Sequence, residues 1–236
     1  MKKAVIMAGG EGIRLRPLTY ALPKPLLPIG SYTAIEYVIK MLAENGVGEV
    51  FILVHYQHQK FEVCLAYQKK YGIKIKLVKE ESKLGTFGGL IHIKKELTDP
   101  FLIINSDIIT RLDVKDMFRV HDQKNAVCTL GVRNFAQKVP YGVVELDKDD
   151  NFIGVVEKPV NNYLISAGIN IFSPDALSYL DGKKLDVPQV VERLSSEGKK
   201  IGVYKIDRPW LDIGQAKDYE KAIELLEMVE DQNDQA

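Results

Sequence analysis

The sequence predicts an α/β fold with a mostly parallel sheet, on three observations. Short continuous apolar runs at residues 4–7, 50–54 and 101–104 suit strands that a parallel sheet buries on both faces. Segments with helical spacing stand between them, and such alternation is built from right-handed crossovers. Glycines follow the first run and an acid follows the last, at strand carboxyl ends, where these sheets hold their ligands.

The chain of 236 residues is long enough for one sizeable core, and we read residues 1–229 as a single domain with a polar tail at 230–236. Apolar residues make up 46% and charged residues 27%, as in an ordinary globule. Lys plus Arg and Asp plus Glu number 32 each, so net charge points to neither a nucleic-acid nor a membrane partner. The apolar run after Met1-Lys2-Lys3 stops at Gly9, short of the roughly 7 to 15 residues of a signal peptide, and no stretch approaches the roughly 20 of a membrane span. Cys64 and Cys128 lie far apart and make no metal or redox pair, so a cytoplasmic protein is expected.

The first strand runs into Met7-Ala8-Gly9-Gly10-Glu11-Gly12-Ile13-Arg14-Leu15-Arg16-Pro17-Leu18-Thr19, followed by Pro23-Lys24-Pro25. Glycines let backbone N–H groups approach a polyphosphate, and Arg14 and Lys24 supply cationic charge. After Gly10-Glu11-Gly12 no third glycine follows at the spacing of a dinucleotide loop, and no Gly-Lys-Ser/Thr ends the segment as in a Walker loop.

Thr33 and Glu36 read as a capping box opening a helix to about Glu44, which ends at Asn45-Gly46. After the strand at 50–54, residues 61–71 suit a helix, and Ile73, Ile75 and Leu77 alternate with lysines as in a half-buried strand. Leu84-Gly85-Thr86-Phe87-Gly88-Gly89-Leu90 is a glycine-bearing turn into a helix ending near Leu97. Asp107 closes the strand at 101–104, where it can hold Mg²⁺ or cap a following helix. Asp113 supplies a separate cap for a helix at 114–123, which leaves Asp107 for the metal. Strands are expected at 127–132, 141–146 and 152–157, with a polar turn at 147–151. Glu157 and Lys158 read either as solvated surface or as groups for sugar hydroxyls and a sugar phosphate. A strand at 166–172, a helix capped by Ser173-Pro174, a helix from Val187 and a final helix at 215–228 complete the chain. His55 and His58 stand three apart without an evident third ligand, so we read them as surface or rim residues.

Gly-Gly-x-Gly-x-Arg-Leu-x-Pro-Leu-Thr at 9–19 and Pro-Lys-Pro-Leu-x-Pro at 23–28 together resemble the signature of the sugar-1-phosphate nucleotidyltransferases. Leu84-Gly85-Thr86, Tyr141-Gly142-Val143, Glu157-Lys158-Pro159, Ala167-Gly168-Ile169 and Trp210-Leu211-Asp212-Ile213-Gly214 are similar to further motifs of that family, in the same order. Ile13, Phe87, Ser106 and Ser166 depart from it; the family usually has Thr or Ser, a small residue, Gly and Asn there.

The resemblance implies a Rossmann-like mostly parallel sheet flanked by helices, with a smaller acceptor-side β region, as in the glycosyltransferase-A fold. It implies a Mg²⁺-dependent enzyme that joins a nucleoside triphosphate to a sugar 1-phosphate and releases pyrophosphate. Arg14, Lys24, Asp107, Lys158 and Asp212 are then the catalytic residues, with Asp107 and Asp212 on the metal. Ala8, Gly9, Gly10, Gly12, Glu80, Gly85 and Thr86 would hold the nucleotide. Gly142, Glu157, Lys158, Ser166 and Asn170 would hold the sugar phosphate. The uridylyl and thymidylyl branches carry a Gln before the glycine-rich helix start, whereas this chain has Glu80-Glu81-Ser82-Lys83. GTP is therefore favoured, with UTP or dTTP as alternatives and a non-catalytic nucleotide-sugar-binding paralogue as a reading of another class. Members of the family are commonly oligomeric, and no feature of this sequence fixes a subunit number.

Overall fold

The computed structural model describes residues 1–231. In chain order the elements are β1 (Lys2–Met7), α1 (Leu18–Ala21), β2 (Pro28–Ile29), β3 (Tyr32–Thr33), α2 (Ala34–Glu44), β4 (Val47–Val54), α3 (Tyr67–Tyr71) and β5 (Lys74–Lys79). They continue with α4 (Gly85–Gly88), β6 (Phe101–Asn105), β7 (Ile108–Thr110), α5 (Val114–Lys124), β8 (Cys128–Lys138), β9 (Gly142–Leu146) and β10 (Phe152–Glu157). The last are β11 (Val160–Phe172), α6 (Val187–Ser196), β12 (Ile201–Lys205), β13 (Trp210–Asp212) and α7 (Ala216–Asp231).

Among the described residues the main sheet has seven strands in the order β12-β8-β11-β6-β1-β4-β5. β11 runs antiparallel to both neighbours and the other pairings are parallel, so the predicted mostly parallel α/β sheet is what forms. Alternate residues feed two cores. Ala4, Ile6, Ile52 and Ile104 face α2 and α5, while Val5, Phe51, Ile103 and Phe172 face the layer that carries α4 and α6. Residues buried on both faces explain the unbroken apolar runs of β1, β4 and β6.

Local chemistry departs from expectation in several places. Thr33 accepts from the Glu36 N–H at 3.3 Å, but the Glu36 carboxylate turns away to Lys70 and Tyr71, so only half of the capping box forms. The helix expected at 61–71 is a 3₁₀ helix over His58–Ala66 that passes into the single α-turn of α3. Its buried residues, Phe61 and Cys64, are three apart, and a 3₁₀ helix stacks such a pair on one edge. Gly89–Glu96, with Leu90 and Ile93 buried, follows α4 in the same way. Ser173 does not cap a helix with its hydroxyl. It donates to the Ala126 carbonyl and meets His121 Nε2, while Pro174–Tyr179 is a short 3₁₀ helix. β8 and β11 run on as a long antiparallel pair, Val160 opposite Lys138, beyond the strands read from sequence.

The final helix continues through Asp231, so it takes in the first residues of the expected tail, and residues 232–236 lie outside the described residues. No helix among the described residues is long and apolar enough to cross a membrane.

Candidate active site

Four parallel strands, β1, β4, β5 and β6, end at one edge of the sheet, and the residues after each line a cleft of about 690 Å³. β1 delivers Met7 and the loop from Gly9 to Leu15, β4 His55, β5 Glu80, and β6 Ser106 and Asp107. Ala8 does not line the cleft. It is buried beneath the loop and donates its N–H to the Leu53 carbonyl at 2.9 Å.

The loop needs glycine at Gly12, which is left-handed with φ 63°. A Cβ there would stand 2.8 Å from Thr19 Cγ2 and 3.0 Å from Lys24 Cβ, so the missing side chain lets the loop close beside Lys24. The Thr19 hydroxyl fastens it by donating to the Gly12 carbonyl at 2.9 Å. A Cβ on Gly10 would meet nothing within 4 Å and would project into open space.

Lys24, from a short 3₁₀ turn at Lys24–Leu26, pairs with Asp107 and stands 4.0 Å from Asp212 Oδ1. Asp212 reaches this point through the ribbon of β13 on β7, in which it lies opposite Ile108, and Ile213 donates its N–H to the Asp107 carbonyl at 3.1 Å. Trp210 anchors the ribbon by donating Nε1–H to the Ala167 carbonyl at 2.9 Å. Asp107 Oδ1 and Asp212 Oδ1 are both buried without a hydrogen-bond partner. Burial, and then the negative charge of Asp107, raise the Asp212 pKa above the ordinary carboxylate value. Lys24 and Arg14 both offset the charge of this pair, and a divalent cation would satisfy the two oxygens that have no hydrogen bond. Among the described residues no group of three or more His, Cys, Asp and Glu could hold a metal. A two-carboxylate site suits Mg²⁺, which takes its other ligands from phosphate and water. Arg14 lies across the cleft mouth beside Gly214, where a Cβ would come 3.3 Å from its Nη1.

Glu80 is buried, 5% exposed, at the inner end of the cleft. Its carboxylate lies between two glycines. A Cβ on Gly9 would come 3.1 Å from Oε2 and one on Gly89 2.2 Å from Oε1. Oε1 has no hydrogen-bond partner, and burial raises the Glu80 pKa. His55, expected at the surface or a rim, lines the same cleft and binds the Glu80 carbonyl through Nδ1 at 2.8 Å. The signal for it was its place just after a buried strand, the same signal that marked Asp107. Lys83 and Lys184 also line the cleft; Lys83 pairs with Glu11 across the loop. Nothing in the sequence marked Lys184.

Gly85 and Thr86 line the cleft too, but their polar groups serve the fold. Thr86 donates its N–H to Asp186 Oδ1 at 2.8 Å and accepts from the Val187 N–H at 2.9 Å. Gly85 has φ 81°, and a Cβ would stand 2.6 Å from Asp186 Oδ1. Phe87 points away from the cleft and packs edge-on against Phe172 with centroids 4.9 Å apart. Its bulk therefore leaves the cleft untouched.

The acceptor-side residues are not gathered into the cleft. Glu157 lies opposite Gly142 on the two-stranded ribbon of β9 and β10, and Lys158 follows it, exposed, at 3.5 Å from Glu157 Oε1. Ser166 is exposed on β11, whereas Asn170 is 4% exposed within the main sheet, opposite Ile103 and Leu130.

Residues 3–228 match the nucleotidyl transferase family. The chain is 35% identical over 225 residues to the mannose-1-phosphate guanylyltransferase catalytic subunit beta of Danio rerio, covering 92% of this chain and 62% of that relative. It therefore spans about three fifths of the length of the curated relatives it matches. A putative glucose-1-phosphate thymidylyltransferase from Bacillus anthracis, solved with sucrose, superposes with a TM-score of 0.77 at 20% identity, over 95% of each chain. HddC from Yersinia pseudotuberculosis complexed with GMP-PN superposes with a TM-score of 0.74 at 23% identity, over 96% of this chain and all of the other. At these identities the two structures establish the fold.

Proposed function

This chain belongs to the nucleotidyl transferase family, and from that premise we propose that it joins GTP to a sugar 1-phosphate, giving a GDP-sugar and pyrophosphate. One observation carries the reaction class: Lys24 and Asp107 line a glycine-walled cleft, Asp212 stands beside them, and each acid keeps one buried oxygen without a hydrogen bond. An oxygen of the sugar 1-phosphate attacks the α-phosphorus, the bond from that phosphorus to the bridging α–β oxygen breaks, and pyrophosphate leaves with the electron pair. The attacking group is already an anion, so no protein nucleophile is needed. Catalysis is then positioning and charge neutralisation.

Arg14 and Lys24 hold the triphosphate oxygens, and the bare face at Gly10 lets the chain approach the backbone. Lys158 aligns the incoming phosphate, with Glu157 accepting from sugar hydroxyls. Asp107 and Asp212 would hold Mg²⁺, which supplies charge neutralisation of phosphate oxygens.

Glu80 supports GTP among the nucleotides. Guanine presents two adjacent donors, N1–H and the 2-amino group, and a carboxylate accepts both. Uracil and thymine offer one N–H between two carbonyls, which a carboxylate repels. Mannose 1-phosphate is the acceptor to test first, because the Danio rerio relative is named for it. The buried thiols Cys64 and Cys128 fit a cytoplasmic site of action.

The test is pyrophosphate release with Mg²⁺, each of GTP, UTP, dTTP, CTP and ATP being paired with mannose, glucosamine, N-acetylglucosamine and heptose 1-phosphates. We expect release with GTP, absent in Asp107→Asn. Nucleotide binding without release from any pair would favour the binding-only paralogue instead.

A further inference from the structure

Glu11 is an acid in a loop otherwise suited to phosphates, and both of its oxygens are engaged. Oε2 stands 3.5 Å from Arg16 Nη2 in the same loop, while Oε1 accepts from Lys83, 72 residues further along. The loop after β1 carries Glu11 and the turn after β5 carries Lys83. β4 lies between these strands in the sheet, so the two chain segments start about 10 Å apart, with His55 at the end of β4 between them. The ion pair therefore bridges two sides of the cleft.

Both ends of the bridge are tied down. Gly12, beside Glu11, is fastened by the Thr19 hydroxyl, and Arg16 lies over the Tyr20 ring at 4.9 Å from its centroid. Leu84, beside Lys83, accepts the Leu185 N–H at 2.9 Å. The pair stands at the outer rim. Its side chains are 55% exposed at Lys83 and 29% at Glu11, whereas Glu80, three residues before Lys83, is 5% exposed at the inner end.

We propose that the Glu11–Lys83 pair is a strap over the nucleotide, which must part for a nucleotide to enter or leave. Glu11 and Lys83 are then positioning residues, an inference that rests on the proposed reaction. In that reading the base lies at Glu80, after β5, and the triphosphate at Gly10 and Arg14, after β1. Ligand and strap span the same two segments, the ligand inside and the strap outside. The Lys83 ammonium holds the Glu11 carboxyl below the usual carboxylate range, so the strap is charged at neutral pH. A partly exposed ion pair is weak, so this one opens readily and slows exchange only a few-fold. The alternative is that Lys83 holds phosphate by its own charge while Glu11 repels it. The two residues would then act in opposite directions; as halves of one strap they act in the same direction.

Stopped-flow binding of GTP labelled with a fluorophore on the ribose, followed by a chase with unlabelled GTP, separates the two. It is run with Mg²⁺, at low salt and without an acceptor. Glu11→Gln and Lys83→Met should each raise the association and dissociation rates together, about three- to fivefold, with Kd almost unmoved. The double variant should exchange no faster than either single one, because one broken end already opens the strap. Lys83→Arg keeps the charge and the reach and should keep the wild-type rates. At about 1 M salt the difference between wild type and variants should vanish. Release slowed in Glu11→Gln but hastened in Lys83→Met would overturn the strap and give each charge its own action on phosphate. Unchanged rates in both single variants would overturn it as well. Labelled UTP, tested in parallel, distinguishes a different base from an empty cleft. A wild type that binds neither nucleotide would overturn the reading of the cleft, and the strap with it.

Discussion

Glu80 is a single buried carboxylate that, in the proposed reaction, would set the nucleotide preference. The missing side chains of Gly9 and Gly89 make room for its carboxylate, since a Cβ would come 3.1 Å from Oε2 at the one and 2.2 Å from Oε1 at the other. In Glu80→Gln one acceptor becomes a donor that opposes the guanine 2-amino group. We expect kcat/KM for GTP to fall about 10²-fold relative to UTP, measured by direct competition. Burial raises the Glu80 pKa, so its ionised, base-reading form is lost from a higher pH than for an ordinary glutamate. The GTP preference should accordingly weaken on the acid side, and a flat ratio between pH 5 and 8 would count against this role. Asp212 gives a trade of another kind. Its folded pKa is raised, so its ionised form opposes folding at neutral pH, and the stability linked to it is present only at low pH. Asp212→Asn should thus leave Tm no lower while turnover falls at least 10²-fold; calorimetry and assay on one preparation would separate these effects. The charged site residues were legible because strand ends and fixed motifs marked them. Their partners were not, since the Lys24–Asp107–Asp212 cluster joins three distant stretches through β7 and β13.

Among the elements, α4 corrects the simple view of a glycine-rich turn as a row of free donors. Phe87 and Gly88 donate their N–H groups to the Leu185 carbonyl at 2.9 Å, and Thr86 donates to Asp186. The turn is held by the loop before α6, about 100 residues further along, and no local pattern in 84–90 could announce that. Asp186 also forms the capping box of α6 with Gln189. Asp186→Ala should cost about 2 kcal/mol in chemical denaturation, since it removes a helix cap and the anchor of α4 together, and should raise KM for the nucleotide. Phe87→Ala should cost more, about 3–5 kcal/mol, because the ring is fully buried against Phe172. Element type was legible where burial repeats at helical spacing, as in α2 and α5. It was misread where buried pairs are three apart and the chain tightens to 3₁₀, as at Phe61 and Cys64.

For the molecule as a whole, the parallel pairing of β1, β4, β5 and β6 follows from the alternation of strands and helices, but the reversed β11, which joins β6 to β8, does not. Two apolar layers and the cluster around Leu15, Tyr37 and Ile213 supply the packing of the fold. Excess EDTA should therefore stop the reaction and leave Tm within about 2 °C of its value with Mg²⁺; full activity in EDTA would refute the roles given to Asp107 and Asp212. The second carboxylate is supplied by a strand that joins its partner from about 100 residues downstream, and such long-range pairings form late. The indole of Trp210, the chain's sole tryptophan, sits two residues from Asp212 and is fastened to Ala167. The protein thus carries its own optical reporter, and during refolding the recovery of tryptophan emission should keep time with the recovery of turnover.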